Sequence, residues 1–180
     1  MKIILLGGNS PTNTSWLEAM EAVLKNGYHD VFEHRYSHWD TKAPLVDLDK
    51  ELEKLQKEIK GIEQYVIVGK SAGALLALKG VSEQKLSPVA CVFIGTAVLW
   101  GRKEGFDVDK WIKGFSVPTI FIQKLGDPAI ASDAFEVLLR ESGVKNYKLR
   151  VIPGEEHEYS EYQEISQTIL SFLRDEKLVH

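Results

Sequence analysis

Three residues in this sequence stand where acyl-transfer chemistry could use them. Ser71 lies in Gly69-Lys70-Ser71-Ala72-Gly73, directly after Val66-Ile67-Val68 and directly before Ala74-Leu75-Leu76. A β-branched run before Gly-x-Ser-x-Gly and a helix-forming run after it predict a sharp strand-to-helix turn with the serine hydroxyl at its tip. The flanking glycines remove the Cβ atoms that would clash in such a turn. A serine hydroxyl becomes a nucleophile when a base takes its proton and an acid orients the base. Asp127, in Leu125-Gly126-Asp127-Pro128, follows the apolar run 120–123. His157, in Gly154-Glu155-Glu156-His157-Glu158-Tyr159, follows the run 147–152. Each leaves the carboxyl end of a predicted strand, so all three side chains are expected on one rim of a sheet, in the order Ser, Asp, His.

The same rim offers donors for a developing oxyanion. The N–H of Ala72 begins a predicted helix and is free of an intrahelical partner. Leu6-Gly7-Gly8-Asn9-Ser10 leaves the first apolar run, and its backbone offers a second donor, Asn9, with Gly8 the alternative. A plain glycine turn, with Asn9 in a left-handed conformation, is the bland reading of that loop. It lacks both the dinucleotide fingerprint and the P-loop pattern.

The elements that must position these residues follow from periodicity. Apolar runs at 3–6, 31–36, 65–68, 89–94, 118–123 and 147–152 predict six strands. Between them lie amphipathic stretches. Trp16, Met20, Val23 and Leu24 recur at helical spacing, with Ser15 and Glu18 as a capping box and Asn26-Gly27 as the stop. Leu48, Leu52, Leu55 and Ile59 mark a second helix closed by Gly61, and 72–79 predicts a third. Phe135, Leu138 and Leu139 mark another, ending near Gly143. Tyr162, Ile165, Ile169 and Phe172 mark the last. Strands alternating with helices predict an α/β fold with a mostly parallel sheet covered on both faces. The irregular connection 96–117 carries Trp100, Phe106, Trp111 and Phe115, either as a small cap-like pocket wall or as aromatics packed on the sheet.

Composition bounds the function. At 180 residues the chain is expected to be one domain, 1–180, with 96–117 as a crossover inside it. Twenty-two basic and 26 acidic residues give a charge of −4 with no basic block, which argues against nucleic acid as a partner. The lone Cys91 excludes an internal disulfide and a cysteine zinc site, and its apolar strand predicts a small buried hydrophobe. The apolar start is cut off at Gly7-Gly8, too soon for a membrane span or a secretory signal. A cytoplasmic protein without membrane contact is expected. A protein partner is not readable from the sequence.

The order of elements and motifs resembles a minimal α/β-hydrolase, and more narrowly the retinoblastoma-binding-protein-nine-like small serine hydrolases. The resemblance runs over nearly the whole chain, from Gly7-Gly8-Asn9 and Trp16 through 69–73 to Trp111, Asp127-Pro128 and His157. It implies three layers around a six-stranded sheet of order 2-1-3-4-5-6. It implies Ser71 as nucleophile, His157 as base and Asp127 as the orienting acid. Two residues depart from the pattern. Lys70 stands before the nucleophile in place of a neutral residue, and Gly7-Gly8 replaces the usual His-Gly.

These readings lead to one expected function, a serine hydrolase acting on small carboxylic esters or thioesters without metal or organic cofactor. An interaction protein on the same fold, and a peptidase or amidase using the same residues, are the alternatives. Gly8, Lys70, Trp100, Phe106 and Trp111 are candidate pocket residues. Lys70 could attract a substrate carboxylate or pair with Glu155, Glu156 or Glu158; the expectation is a packed stem with its head in solvent. Asp133 is placed at a helix start, where it complements the dipole. His29, His34, His38 and His180 lack metal-ligand spacing, and 34–38 reads as strand and loop. With no room for a separate cap, an open, shallow site is expected.

Overall fold

Four apolar runs form the middle of the sheet. β1 (Lys2–Leu6), β3 (Tyr65–Lys70), β4 (Ala90–Ile94) and β5 (Thr119–Lys124) are buried along nearly their whole length. Strands covered on both faces have no solvent side for polar residues, so they read as continuous apolar stretches. β2 (Val31–His34) and β6 (Tyr147–Ile152) are the edges, and β6 carries the exposed Lys148 and Arg150. Every pairing is parallel and the order is β2-β1-β3-β4-β5-β6, as expected. This computed structural model describes residues 1–26, 30–41 and 43–178; His29 and His180 lie outside them.

Eight helices connect and cover the strands among the described residues: α1 (Asn13–Lys25), α2 (Ser37–Thr41), α3 (Leu48–Glu58), α4 (Ala72–Ser82), α5 (Val98–Lys103), α6 (Val108–Ile112), α7 (Ser132–Glu141) and α8 (Tyr162–Asp175). The chain steps one way from β1 to β2 and the other way from β2 to β6. Right-handed crossovers therefore put α1 on one face and α3, α4 and α7 on the other. α8 returns to pack on α1, while α4 packs on α3 and α6. An aromatic ladder ties α7 to the sheet: Phe93 and Phe121 are register partners with ring centroids 5.5 Å apart, and Phe121 meets Phe135 edge-on at 5.2 Å. None of the described helices is long and apolar enough to cross a membrane.

Local details depart from the expectations. α1 begins at Asn13, so Ser15 lies inside the helix and caps nothing. The chain turns earlier, at Ser10-Pro11, where the Asn13 and Thr14 N–H groups donate to the carbonyls of Ser10 and Pro11. β2 stops at His34, and the following residues form the short helix α2 rather than a loop. Tyr36 is buried there, its hydroxyl donating to the Gly7 carbonyl at 2.9 Å. The connection 96–117 holds α5 and α6.

Candidate active site

The turn between β3 and α4 is built on two close approaches. A Cβ on Gly69 would stand 2.8 Å from the Ala74 nitrogen, and one on Gly73 would stand 2.4 Å from the Leu6 carbonyl oxygen. Only glycine lets α4 start so near the sheet. Ser71 sits between them at φ 55, ψ −114, a strained conformation for a residue with a side chain, costing roughly 1–3 kcal/mol. Its N–H donates to the Ile94 carbonyl at 2.9 Å and its own carbonyl accepts from Ala74 at 3.1 Å. These bonds fasten the turn to β4 and α4 and leave the hydroxyl at the carboxyl edge of the sheet.

Two further loops bring their side chains to that hydroxyl. His157, after β6, places Nε2 2.8 Å from Ser71 Oγ. Its Nδ1 lies 2.9 and 3.0 Å from the two carboxylate oxygens of Asp127, on the loop after β5. With Asp127 ionised, Nδ1 carries the proton and donates. Nε2 is then the acceptor for the serine hydroxyl. Asp127 is 1% exposed. Burial pushes its carboxyl up, but hydrogen bonds from His157, Tyr159 and the Ala129 N–H outweigh that and hold it below the ordinary value.

Tyr159 is a member of this cluster that the sequence reading missed. It is fully buried, donates its hydroxyl to Asp127 Oδ2 at 2.6 Å and accepts the Lys124 N–H at 2.9 Å. Its carbonyl accepts the Trp16 indole N–H at 2.9 Å, which ties the histidine loop to α1. The visible signal was an aromatic residue two places after His157 in an acidic stretch. The acids of that stretch do not gather on the imidazole. Glu156 and Glu161 both pair with the buried Lys124 ammonium, the latter at 2.8 Å.

The first loop is held from beneath by α2. The Asn9 carbonyl accepts from His38 Nε2 at 2.7 Å and from Trp39 Nε1 at 3.0 Å. Its side chain bridges the Pro44 carbonyl and the Val46 N–H. Neither the Asn9 nor the Ala72 N–H has a protein acceptor among the described residues. Asn9 and Ser71 line the same cleft, and Ala72 follows Ser71 as the first residue of α4. Neither His34 nor His38 joins a metal site: among the described residues no group of three or more His, Cys, Asp or Glu could hold an ion. Cys91 is fully buried, which pushes its thiol pKa up.

Above Ser71 opens a cleft of about 930 Å³. Asn9, Asn13, Trp16, Lys70, Trp100 and His157 line it, with Leu99, Pro128, Glu158 and Tyr162 toward the outside. Three expected pocket residues lie elsewhere. Gly8 packs against the Asn13 amide, where a Cβ would come within 2.9 Å. Phe106 and Trp111 contact each other at 6.1 Å and line a separate hollow near Lys79. The chain reverses at Gly105, which turns α6 onto α4 and carries both rings away from the serine. Lys70 does line the cleft. It is half-buried on the wall of the cleft: Nζ donates to Asn13 Oδ1 at 2.9 Å and lies 5.6 Å from the Trp16 ring centre.

No protein-family model and no curated protein matches the sequence. Solved structures do match the fold. Est1E from Butyrivibrio proteoclasticus, with ferulic acid bound, superposes with a TM-score of 0.74 at 14% identity, over 96% of this chain and 88% of its own. The CarC serine hydrolase involved in carbazole degradation gives 0.70 at 16% identity, over 97% and 91%. Mouse alpha/beta hydrolase domain-containing protein 10 gives 0.69 at 13% identity, over 97% and 90%. Likeness of this extent, together with the all-parallel sheet of order β2-β1-β3-β4-β5-β6, shows that the chain has the α/β-hydrolase fold.

Proposed function

We propose that this chain is a serine hydrolase that cleaves small carboxylic esters or thioesters through an acyl-enzyme. The observation that carries the reading is the 2.8 Å contact of Ser71 Oγ with His157 Nε2, on a ring whose other nitrogen is held by Asp127. As Ser71 Oγ attacks the carbonyl carbon, its proton passes to Nε2, leaving an imidazolium beside the Asp127 carboxylate. The Asn9 and Ala72 N–H groups hold the tetrahedral oxyanion. Collapse breaks the bond to the alcohol or thiol, which leaves with the proton from Nε2. Water then enters, gives a proton to Nε2, and attacks the acyl carbon; the released serine recovers the proton.

Several features support this reading. The motif order along the chain agrees with that of the retinoblastoma-binding-protein-nine-like small serine hydrolases. Est1E is a neighbour in fold, and the ferulic acid in it is a carboxylic acid, the class of product this scheme releases. An interaction protein with an idle triad would have no need for open volume above the serine, and here the cleft is open. A fluorophosphonate probe tests the proposal. The wild type is expected to be labelled covalently and Ser71→Ala to remain unlabelled. A wild type that resists the probe would overturn it.

A further inference from the structure

The Lys70 ammonium faces the cleft with little to answer its charge. Lys70 is the last residue of β3 and precedes Ser71, so its side chain reaches the wall of the same cleft on the α1 side. It is half-buried, and its one hydrogen-bond partner among the described residues is the neutral Asn13 Oδ1. That amide is oriented by its own Nδ2, which donates to the Ser10 carbonyl at 2.9 Å, so the oxygen is the atom that faces the lysine. Burial holds the ammonium below the ordinary lysine value, while the charges of Glu158 and Asp127 pull it back up. Asp127 is already committed to His157 and Tyr159, and Glu158 is exposed on the rim. An ammonium has three donors, and here one is used. The wall also receives the amino-terminal end of α1, which carries no acidic residue in its first turn and adds to the positive field.

A half-buried cation with a neutral partner gains most from an anion that brings a charge-assisted hydrogen bond. We propose that Lys70 and Asn13 form a subsite for a carboxylate carried by the substrate, making the preferred ester or thioester an anionic one, such as the half-ester of a dicarboxylic acid. This rests on the hydrolase reading above and deepens it. Lys70 is then a specificity-determining residue. The exposed Lys103, which also lines the cleft, would draw the same class of substrate toward it.

Two pairs of esters test the subsite and locate the carboxylate. 4-Nitrophenyl hemisuccinate against 4-nitrophenyl butyrate varies charge in the acyl part. 4-Carboxyphenyl butyrate against its methyl ester varies charge in the leaving group. In one pair the wild-type kcat/KM is expected to favour the charged ester by about tenfold or more. That ratio falls toward one in Lys70→Met and is partly kept in Lys70→Arg. Asn13→Asp, which gives the lysine an internal anion and keeps its stem, is expected to lower the ratio as well. Ratios near one in both pairs, or a ratio unchanged in Lys70→Met, would overturn the subsite. A binding arm needs no turnover: monomethyl succinate is titrated into Ser71→Ala by calorimetry, with and without Lys70→Met. Weaker binding by about tenfold in the double variant supports the subsite, and equal binding overturns it. No turnover and no fluorophosphonate labelling counts against the hydrolase reading; turnover without charge selectivity counts against the Lys70 subsite alone.

Discussion

Tyr159 shows how much of the candidate site hangs on one oxygen atom. Its hydroxyl donates to Asp127 and accepts from the Lys124 backbone, so it fixes the carboxylate against the end of β5. Tyr159→Phe keeps the ring and removes both bonds, leaving the Lys124 N–H unanswered in the interior. Stability is expected to fall by about 1–3 kcal/mol in denaturant melts. In ester kinetics kcat is expected to fall while KM holds, the pattern of a group that orients the reacting residues without binding substrate. An equal loss through KM would assign Tyr159 a substrate contact instead. Ser71, Asp127 and His157 were legible in the sequence because each follows a strand and the motif spacing sets them apart. Tyr159 was not, since its partners come from a loop about 30 residues earlier. The partner of Lys70 was hidden for a related reason. Asn13, 57 positions away, supplies the acceptor for its ammonium.

At the scale of elements, β2 is joined to α3 by a buried charged cluster. His34 Nδ1 lies 2.5 Å from Glu58 and Nε2 lies 3.2 Å from Glu51, whose other oxygen accepts the Ser37 N–H. Burial presses the imidazole pKa down, but the nearby Glu51 carboxylate and the hydrogen-bonded Glu58 outweigh it and raise the value above the ordinary 6.5. Burial presses Glu51 up, but the close His34 imidazole and the bond from the Ser37 N–H hold it below the ordinary 4.5. A histidine raised on folding stabilises fully below its unfolded pKa and loses that contribution as pH climbs through the folded one. A carboxyl lowered on folding stabilises above its unfolded pKa and loses that as pH drops through the folded one. The cluster therefore contributes most between about pH 4.5 and 6.5. Urea midpoints at about pH 5.5 and about pH 9 check this: the wild type should lose more stability across the interval than His34→Gln. Equal losses would place the pH dependence in other groups. Existence and type of the long elements were readable from periodicity, whereas the α1 start was set by the turn at Ser10-Pro11 and not by the Ser15 pattern.

Across the whole molecule, the connection between β4 and β5 decides the shape of the cleft. Its α5 end supplies Leu99 and Trp100 to one wall, while α6 turns away onto α4. The aromatics of 96–117 look alike in sequence, and only the reversal at Gly105 sorts them into wall and core. One short helix is little cover for a long aliphatic chain. Acetyl and butyryl 4-nitrophenyl esters are expected to turn over faster than decanoyl and longer ones in a chain-length series. A rate that climbs with chain length would overturn that expectation. The bond from the Trp16 indole to the Tyr159 carbonyl spans 143 positions and closes the gap between the first helix and the histidine loop. A polypeptide leaving the ribosome cannot make it until Tyr159 has emerged. The serine turn, already complete by Gly73, therefore waits for His157, 86 positions after Ser71, and for the bond that holds the histidine loop.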